Sequence, residues 1–539
     1  MIARVDRLLL NGRIRTLDRE RPLVSGLALS GGRVIAVSTD SDALRLLATS
    51  ETIVDDLGGR SVLPGFIDAH VHWQGTTERL HSVAFYDATS RQEAVERVAR
   101  FAAQVPAGEW ILGHGWTQDA WEDRQFPTAA DLDAVTPDHP VFLKARSGHA
   151  AWVNSVALRI AGVDRDTLDP PAGEIMRDAA GNPSGVLLEW TAMGLVSDHI
   201  PPIDAEDLAT RMLKTQQHAL ELGLTGIHDF DWRDSFAALQ ILRERSLLSL
   251  RMVKQINAEY LESLLDLGLR QGFGDDWLRI GNLKIFSDGA LGPRTAAMIA
   301  PYEGEPNNLG IMVTDKEDML DMASRASAAG VATSIHAIGD LAVHDVLDVF
   351  EGVRRQEAGR GISPDARRHR IEHVQLIHPD DVDRLAELRL IASMQPIHAT
   401  SDYQMSDRYW GARSAWAYNP RLQLDRGVVV AFGTDSPVEP LGPVANIHAA
   451  VTRRRADGSP GPDGWYPSAR VTLDEAVRGH TIGPAYAAGM EDRCGMLAPG
   501  YYADLVVLDR DLYETPPDEL LAVQVVGTMV DGSWKVRTF

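Results

Sequence analysis

Between residues 61 and 489, short apolar runs alternate with longer segments rich in Ala, Leu, Glu and Arg. Eight of the runs have the length of a strand: 66–72, 225–230, 250–255, 282–287, 331–336, 370–374, 390–395 and 428–435. Apolar positions at helical spacing mark 208–222, 315–329, 342–356 and 380–388. Strand followed by helix, repeated, predicts βα units and a parallel sheet. Eight such strands predict an α/β fold, a (β/α)8 barrel with its active site at the C-terminal ends of the strands. The two ends of the chain read differently. Runs at 4–10, 25–29 and 34–37, and again at 503–508 and 522–529, are β candidates punctuated by Asn11-Gly12, Gly31-Gly32 and Asp531-Gly532. The expectation is one composite β-sandwich built from 1–60 and 490–539, flanking a barrel over 61–489. The interval 73–215 is far longer than a βα loop requires, so it is expected to be an inserted subdomain over the barrel mouth.

Composition narrows the chemistry. With 53 Lys+Arg against 76 Asp+Glu the net charge is −23, which argues against a nucleic-acid backbone or an anionic membrane as partner. The single cysteine, Cys494, excludes an internal disulfide framework and cysteine-based metal clusters. The apolar run near the N-terminus is soon broken by Asn11, Arg13 and Arg15 and does not read as a secretory signal. No run reaches membrane-spanning length, so the expected location is the cytoplasm. Metal chemistry, if present, falls to the seventeen histidines.

On a strand, residues two apart share a side, so His70 and His72 project together from the end of the first strand and can hold one borderline-soft cation such as Zn²⁺. His336, His373 and Asp435 each close an otherwise apolar strand. Singly, each is better explained by a cap, a salt bridge or a core histidine. Together at one rim of a barrel they favour a metal. Lys284 sits in a strand where an unpaired ammonium is costly; it either pairs with a carboxylate such as Asp288 or is carbamylated and bridges two ions. His149, Asn154, Arg294 and His228 are candidate substrate contacts; a salt bridge explains Arg294 as well, and a supporting hydrogen-bonding role explains His228 as well. Trp152 fits core packing of the insert better than ligand stacking, and Asp340 suits a helix cap.

The motifs LNGRIRTLD, PGFIDAHVH, HAAWVNSVAL, LKIFSDGALGPRTAAM, HAIGD, RIEH, TDSPVEP and GMLAPGYYADLVVLD span nearly the whole chain. In this order and spacing they resemble the amidohydrolase superfamily, and within it the amidohydrolase-3 (YtcJ-like) group. The resemblance implies a distorted TIM barrel carrying a composite β-sandwich. It implies that His70 and His72 bind a first divalent metal, that Lys284 bridges as a carbamate, and that His336 and His373 bind a second. It assigns Asp435 both metal ligation and proton transfer. Zinc is the expected ion, with about one or two per chain. The expected reaction is hydrolysis of a non-peptide carbon–nitrogen bond, most plausibly in a small linear amide, with catalytic parts for Asp435, His336 and His373. Alternatives on the same scaffold are a cyclic amidase, a deaminase or a lactonase, or a non-catalytic regulatory protein. The expected partner is a small-molecule substrate; homo-oligomerisation is left open.

Overall fold

The computed structural model describes residues 4–118, 121–145, 149–171 and 173–539. Eight strands lie in one parallel sheet in sequence order: β1 (Phe66–Val71), β2 (Leu224–Asp229), β3 (Arg251–Asn257), β4 (Leu278–Phe286), β5 (Thr333–Ala337), β6 (Arg370–His373), β7 (Ile391–Met394) and β8 (Val429–Phe432). Every residue of β1, β2, β5, β6 and β7 is buried, as expected of parallel strands covered on both faces. Each of the eight runs read from the sequence overlaps one of these strands. The segment expected as one helix over 380–388 is instead two single turns, Pro379–Asp381 and Arg384–Glu387, because its three aspartates are weak formers of helix interior.

The seam between β8 and β1 lies just beyond β8. Asp435 donates its N–H to the His70 carbonyl at 2.8 Å, and His72 donates to the Ser436 carbonyl at 2.8 Å. The Asp68 carboxylate accepts from the Thr434 hydroxyl at 2.7 Å and from its N–H at 3.0 Å. Gly433 is required here: a Cβ at this position lies 2.5 Å from the His70 backbone nitrogen and 2.8 Å from the His70 Cβ. The Gly433→Ala protein is therefore expected to lose about 1–3 kcal/mol of stability. Thermal unfolding checks this; an unchanged melting temperature contradicts it.

Two further sheets gather the ends of the chain. One, of four strands, orders Arg33–Ser38, Gly26–Ser30, Arg7–Leu10 and Ile53–Asp56. The other, of six, pairs Ser61–Pro64 antiparallel with Leu505–Leu508, joining N- and C-terminal segments in one sheet. Leu9, Leu27 and Val37 of the first sheet share a core with Ile14, Val62, Leu505 and Met529 of the second.

The chain divides into two compact units: Met1–Gln74 with Met212–Phe539, and Gly75–Arg211. The second, within the 73–215 insert, contains its own six-stranded sheet. Trp152 is fully buried there, packs against Trp116 and Trp121, and donates its indole N–H to the Thr128 carbonyl at 2.8 Å, as its packing role predicts. Asn154 is a helix cap rather than a ligand contact: its side-chain oxygen accepts from Ala157 and Val141, each at 3.0 Å. Ala172 of the Pro/Gly-rich stretch, Asp119 and Ala120 of GEWILGHGWTQDAW, and the Ser147-Gly148 that precede His149 lie outside the described residues.

Candidate metal centre

The C-terminal ends of the strands converge on Asp435. The Nε2 atoms of His70 and His72 each lie 3.5 Å from its Oδ1, so three ligand atoms face one small volume. Each ring is held from behind. His70 Nδ1 meets the Glu372 carboxylate at 2.7 Å, and His72 Nδ1 meets Asp231 at 2.9 Å. A carboxylate on the far nitrogen fixes the tautomer and turns the Nε2 lone pair toward the cation site. His70 Nε2 and Asp435 Oδ1 are buried with no hydrogen-bond partner, an arrangement that a divalent cation between them would satisfy. The donor set of two imidazoles and a carboxylate suits zinc.

His373 and His398 lie on the other side of Asp435, and their ligand atoms also cluster with it. His398 Nε2 is 3.3 Å from Asp435 Oδ2, and its Nδ1 is 3.8 Å from Glu439. His373 Nδ1 meets the Gln395 side-chain oxygen at 2.9 Å, and its ring centre is 4.7 Å from that of His336. His336 donates from Nε2 to the Gly289 carbonyl at 3.0 Å. With one nitrogen of each ring so engaged, His336 and His373 each keep one lone pair. That chemistry suits cation ligands rather than oxyanion donors, which narrows the catalytic part expected of them.

The backbone explains how adjacent residues both reach the interior. On an ideal strand Glu372 and His373 point to opposite faces. His373 takes φ = 78° and Asp435 takes φ = 59°, sparsely populated for such residues and held only where the surroundings enforce them. The left-handed turn at each strand end brings His373 in beside Glu372, and Asp435 in beside Thr434.

Lys284 is 1% exposed. No ion pair with Asp288 forms among the described residues; the Asp288 carboxylate instead accepts N–H groups of Ala297, Ile338 and Gly339 at 2.9–3.1 Å. Lys284 Nζ has no hydrogen-bond partner and lies 5.0 Å and 4.5 Å from the ring centres of Phe230 and Phe286.

The charge states follow from these surroundings. Burial pushes His70 down to about 4 against the opposing pull of Asp435 and Glu372. Burial and then Lys284 push His336 down to about 3; burial and then His336 hold His373 well below the usual imidazole range. Each shift favours the neutral imidazole, the form that can ligate a cation. Burial opposes the ionised form of Asp435, but His70, His398, His373 and His72 outweigh it and hold the carboxyl well below its ordinary value. For His398, Asp435 and Glu439 outweigh burial and raise it to about 10. Burial lowers Lys284 to about 8.

The other sequence candidates are placed elsewhere. His228 is buried and accepts from Arg370 at 3.0 Å, which makes it a support inside the barrel rather than an open substrate contact. Arg294 pairs with Glu305 at 2.8 Å. His149 belongs to the Gly75–Arg211 unit, is exposed and meets Glu189 at 2.9 Å. Asp340 is the first helical residue, not the cap, and accepts from Ile299 and Leu341. Residues that sequence reading missed are Glu372, Asp231, Gln395 and His398. Glu372 had a signal, a carboxylate inside the short buried strand RIEH; His398, on the helix Pro396–Tyr409, had none beyond its position soon after β7.

A barrel with histidines and an aspartate converging at the strand ends defines a metal-dependent hydrolase of the TIM-barrel class. The sequence pattern of the Amidohydrolase family matches residues 54–534. N-substituted formamide deformylase of Arthrobacter pascens is 31% identical over 98% of this chain and 97% of that protein. Protein LONG AFTER FAR-RED 3 of Arabidopsis thaliana is 32% identical over 98% of this chain and 91% of that protein. The crystal structure of an uncharacterized metal-dependent hydrolase from Pyrococcus furiosus superposes with a TM-score of 0.76 at 31% identity, covering 95% of this chain and 99% of that one. The chain belongs to the Amidohydrolase family and is a metal-dependent hydrolase acting on carbon–nitrogen bonds. Among the described residues no helix is long and apolar enough to cross a membrane.

Proposed function

We propose that this protein hydrolyses a small linear amide, with His70, His72 and Asp435 holding a zinc ion. His336 and His373 hold a second ion beside Lys284, whose amine takes up CO2. The observation that carries the reading is the convergence of two imidazole Nε2 atoms on one buried carboxylate oxygen, at 3.5 Å each. Zinc bound there acidifies water and polarises a carbonyl. Asp435, ionised at neutral pH, accepts the proton of the attacking water and returns it to the departing nitrogen. Its contact with His398 holds Asp435 Oδ2 in place while Oδ1 faces the histidines. Lys284 suits carbamate formation: its nitrogen attacks the carbon of CO2 and loses a proton, replacing a buried cation with an anion among ligands.

A linear amide is favoured because one of the relatives matched over nearly its full length is named N-substituted formamide deformylase. The test is release of primary amine from a panel of N-substituted formamides and short acyl amides by the zinc-loaded protein, beside cyclic amides, amino-heterocycles and lactones. Turnover of linear amides in preference to the others is expected. Turnover confined to a cyclic, heterocyclic or lactone substrate would overturn the substrate assignment while leaving the metal centre intact.

A further inference from the structure

Behind His70 lies a buried ion pair that cation binding alone does not call for. Arg370 is 1% exposed and Glu372 is fully buried. Arg370 Nε faces Glu372 Oε1 at 2.5 Å, and Nη2 meets Glu372 Oε2 at 2.9 Å. The guanidinium also donates to Ser393 Oγ at 2.7 Å, to the Ala69 carbonyl at 2.7 Å and to His228 Nδ1 at 3.0 Å. The same Glu372 oxygen that meets Arg370 Nη2 meets His70 Nδ1 at 2.7 Å. Removing two charges from water is costly, and apolar side chains of similar volume fill a barrel interior at least as well. The pair therefore calls for a role besides packing.

We propose that Arg370 and Glu372 are a positioning pair for the cation site. Glu372 accepts the Nδ1–H of His70, which fixes the ring and leaves the Nε2 lone pair facing Asp435. Arg370, in contact with both Glu372 oxygens, holds the carboxylate aimed at His70. Through the Ala69 carbonyl it also fixes the β1 backbone one residue before His70, so a single guanidinium sets both strand and ring. His228 completes the arrangement as an unprotonated acceptor, the only state in which its Nδ1 takes a hydrogen bond from a cation.

This proposal rests on His70, His72 and Asp435 being the ion site. The experiment measures Zn²⁺ affinity by chelator competition, together with the melting temperature of the metal-free protein, for the parent, Glu372→Gln and the double variant Arg370→Met/Glu372→Met. Glu372→Gln is expected to bind Zn²⁺ about 10- to 100-fold more weakly. The double variant removes both charges together, so its metal-free melting temperature stays near the parent's, yet its Zn²⁺ affinity stays equally reduced. Parent-like Zn²⁺ affinity in the double variant would overturn the proposal and leave the pair a packing element. If the double variant does not fold, parent-like affinity in Glu372→Gln overturns it. A parent protein that binds no Zn²⁺ refutes the ion site itself, a result distinct from parent-like variants.

Discussion

The Asp435→Asn protein is expected to fold as the parent does and to hydrolyse its amide at least about 10³-fold more slowly, the upper range for a lost proton-transfer group. Asn matches Asp in volume, so the β8–β1 seam, which uses the Asp435 N–H rather than its side chain, is kept. What is lost is the charge that faces His70 and His72 and contacts His398. An amide oxygen is a poor base and a weaker ligand, so kcat falls and bound metal falls with it. Steady-state kinetics beside a melting curve check this. Retention of full activity contradicts the part assigned to Asp435.

Replacement of Lys284 by Met is expected to cause the second large loss. A buried amine lowered to about 8 with no hydrogen-bond partner is partly neutral near physiological pH and able to react with CO2; a methionine is not. The Lys284→Met protein is expected to bind fewer ions and to lose turnover by a factor on the order of 10³, the scale of an electrostatic stabiliser removed from a site. Native mass spectrometry of the parent, prepared with bicarbonate, is expected to show one added CO2 that is absent from the variant. If the role of Lys284 were confined to its contacts with Phe230 and Phe286, the variant would keep both its metal and its activity.

The barrel was legible because its strands are short apolar runs, each followed by a helical segment; strand burial on both faces leaves that signature in any parallel barrel. His70 and His72 were legible because they sit two apart at a strand end. Their supports were less so. Asp231 reaches His72 across 159 positions, a contact between the ends of the paired strands β1 and β2, and Glu372 reaches His70 across 302, a contact that only barrel closure creates. His373 and Asp435 were picked as polar strand ends, but alternation alone would have turned one of Glu372 and His373 away from the site. The positive φ that brings both inward has no signature in a single sequence. For His228 the sequence left a substrate contact and a supporting hydrogen bond equally open; its partner in the barrel, the Arg370 guanidinium, lies 142 positions away and could not be read from the sequence. For the interval 73–215 length was the only signal; the compact unit Gly75–Arg211 falls within it.

The most direct test of the account is the metal content of the purified protein by elemental analysis, beside a His70→Ala/His72→Ala variant, both after reconstitution with Zn²⁺ and bicarbonate. The account predicts about one to two zinc ions per parent chain, and loss of at least the ion held by His70, His72 and Asp435 from the variant. A parent protein that retains no metal, or a variant that retains as much as the parent, would contradict it.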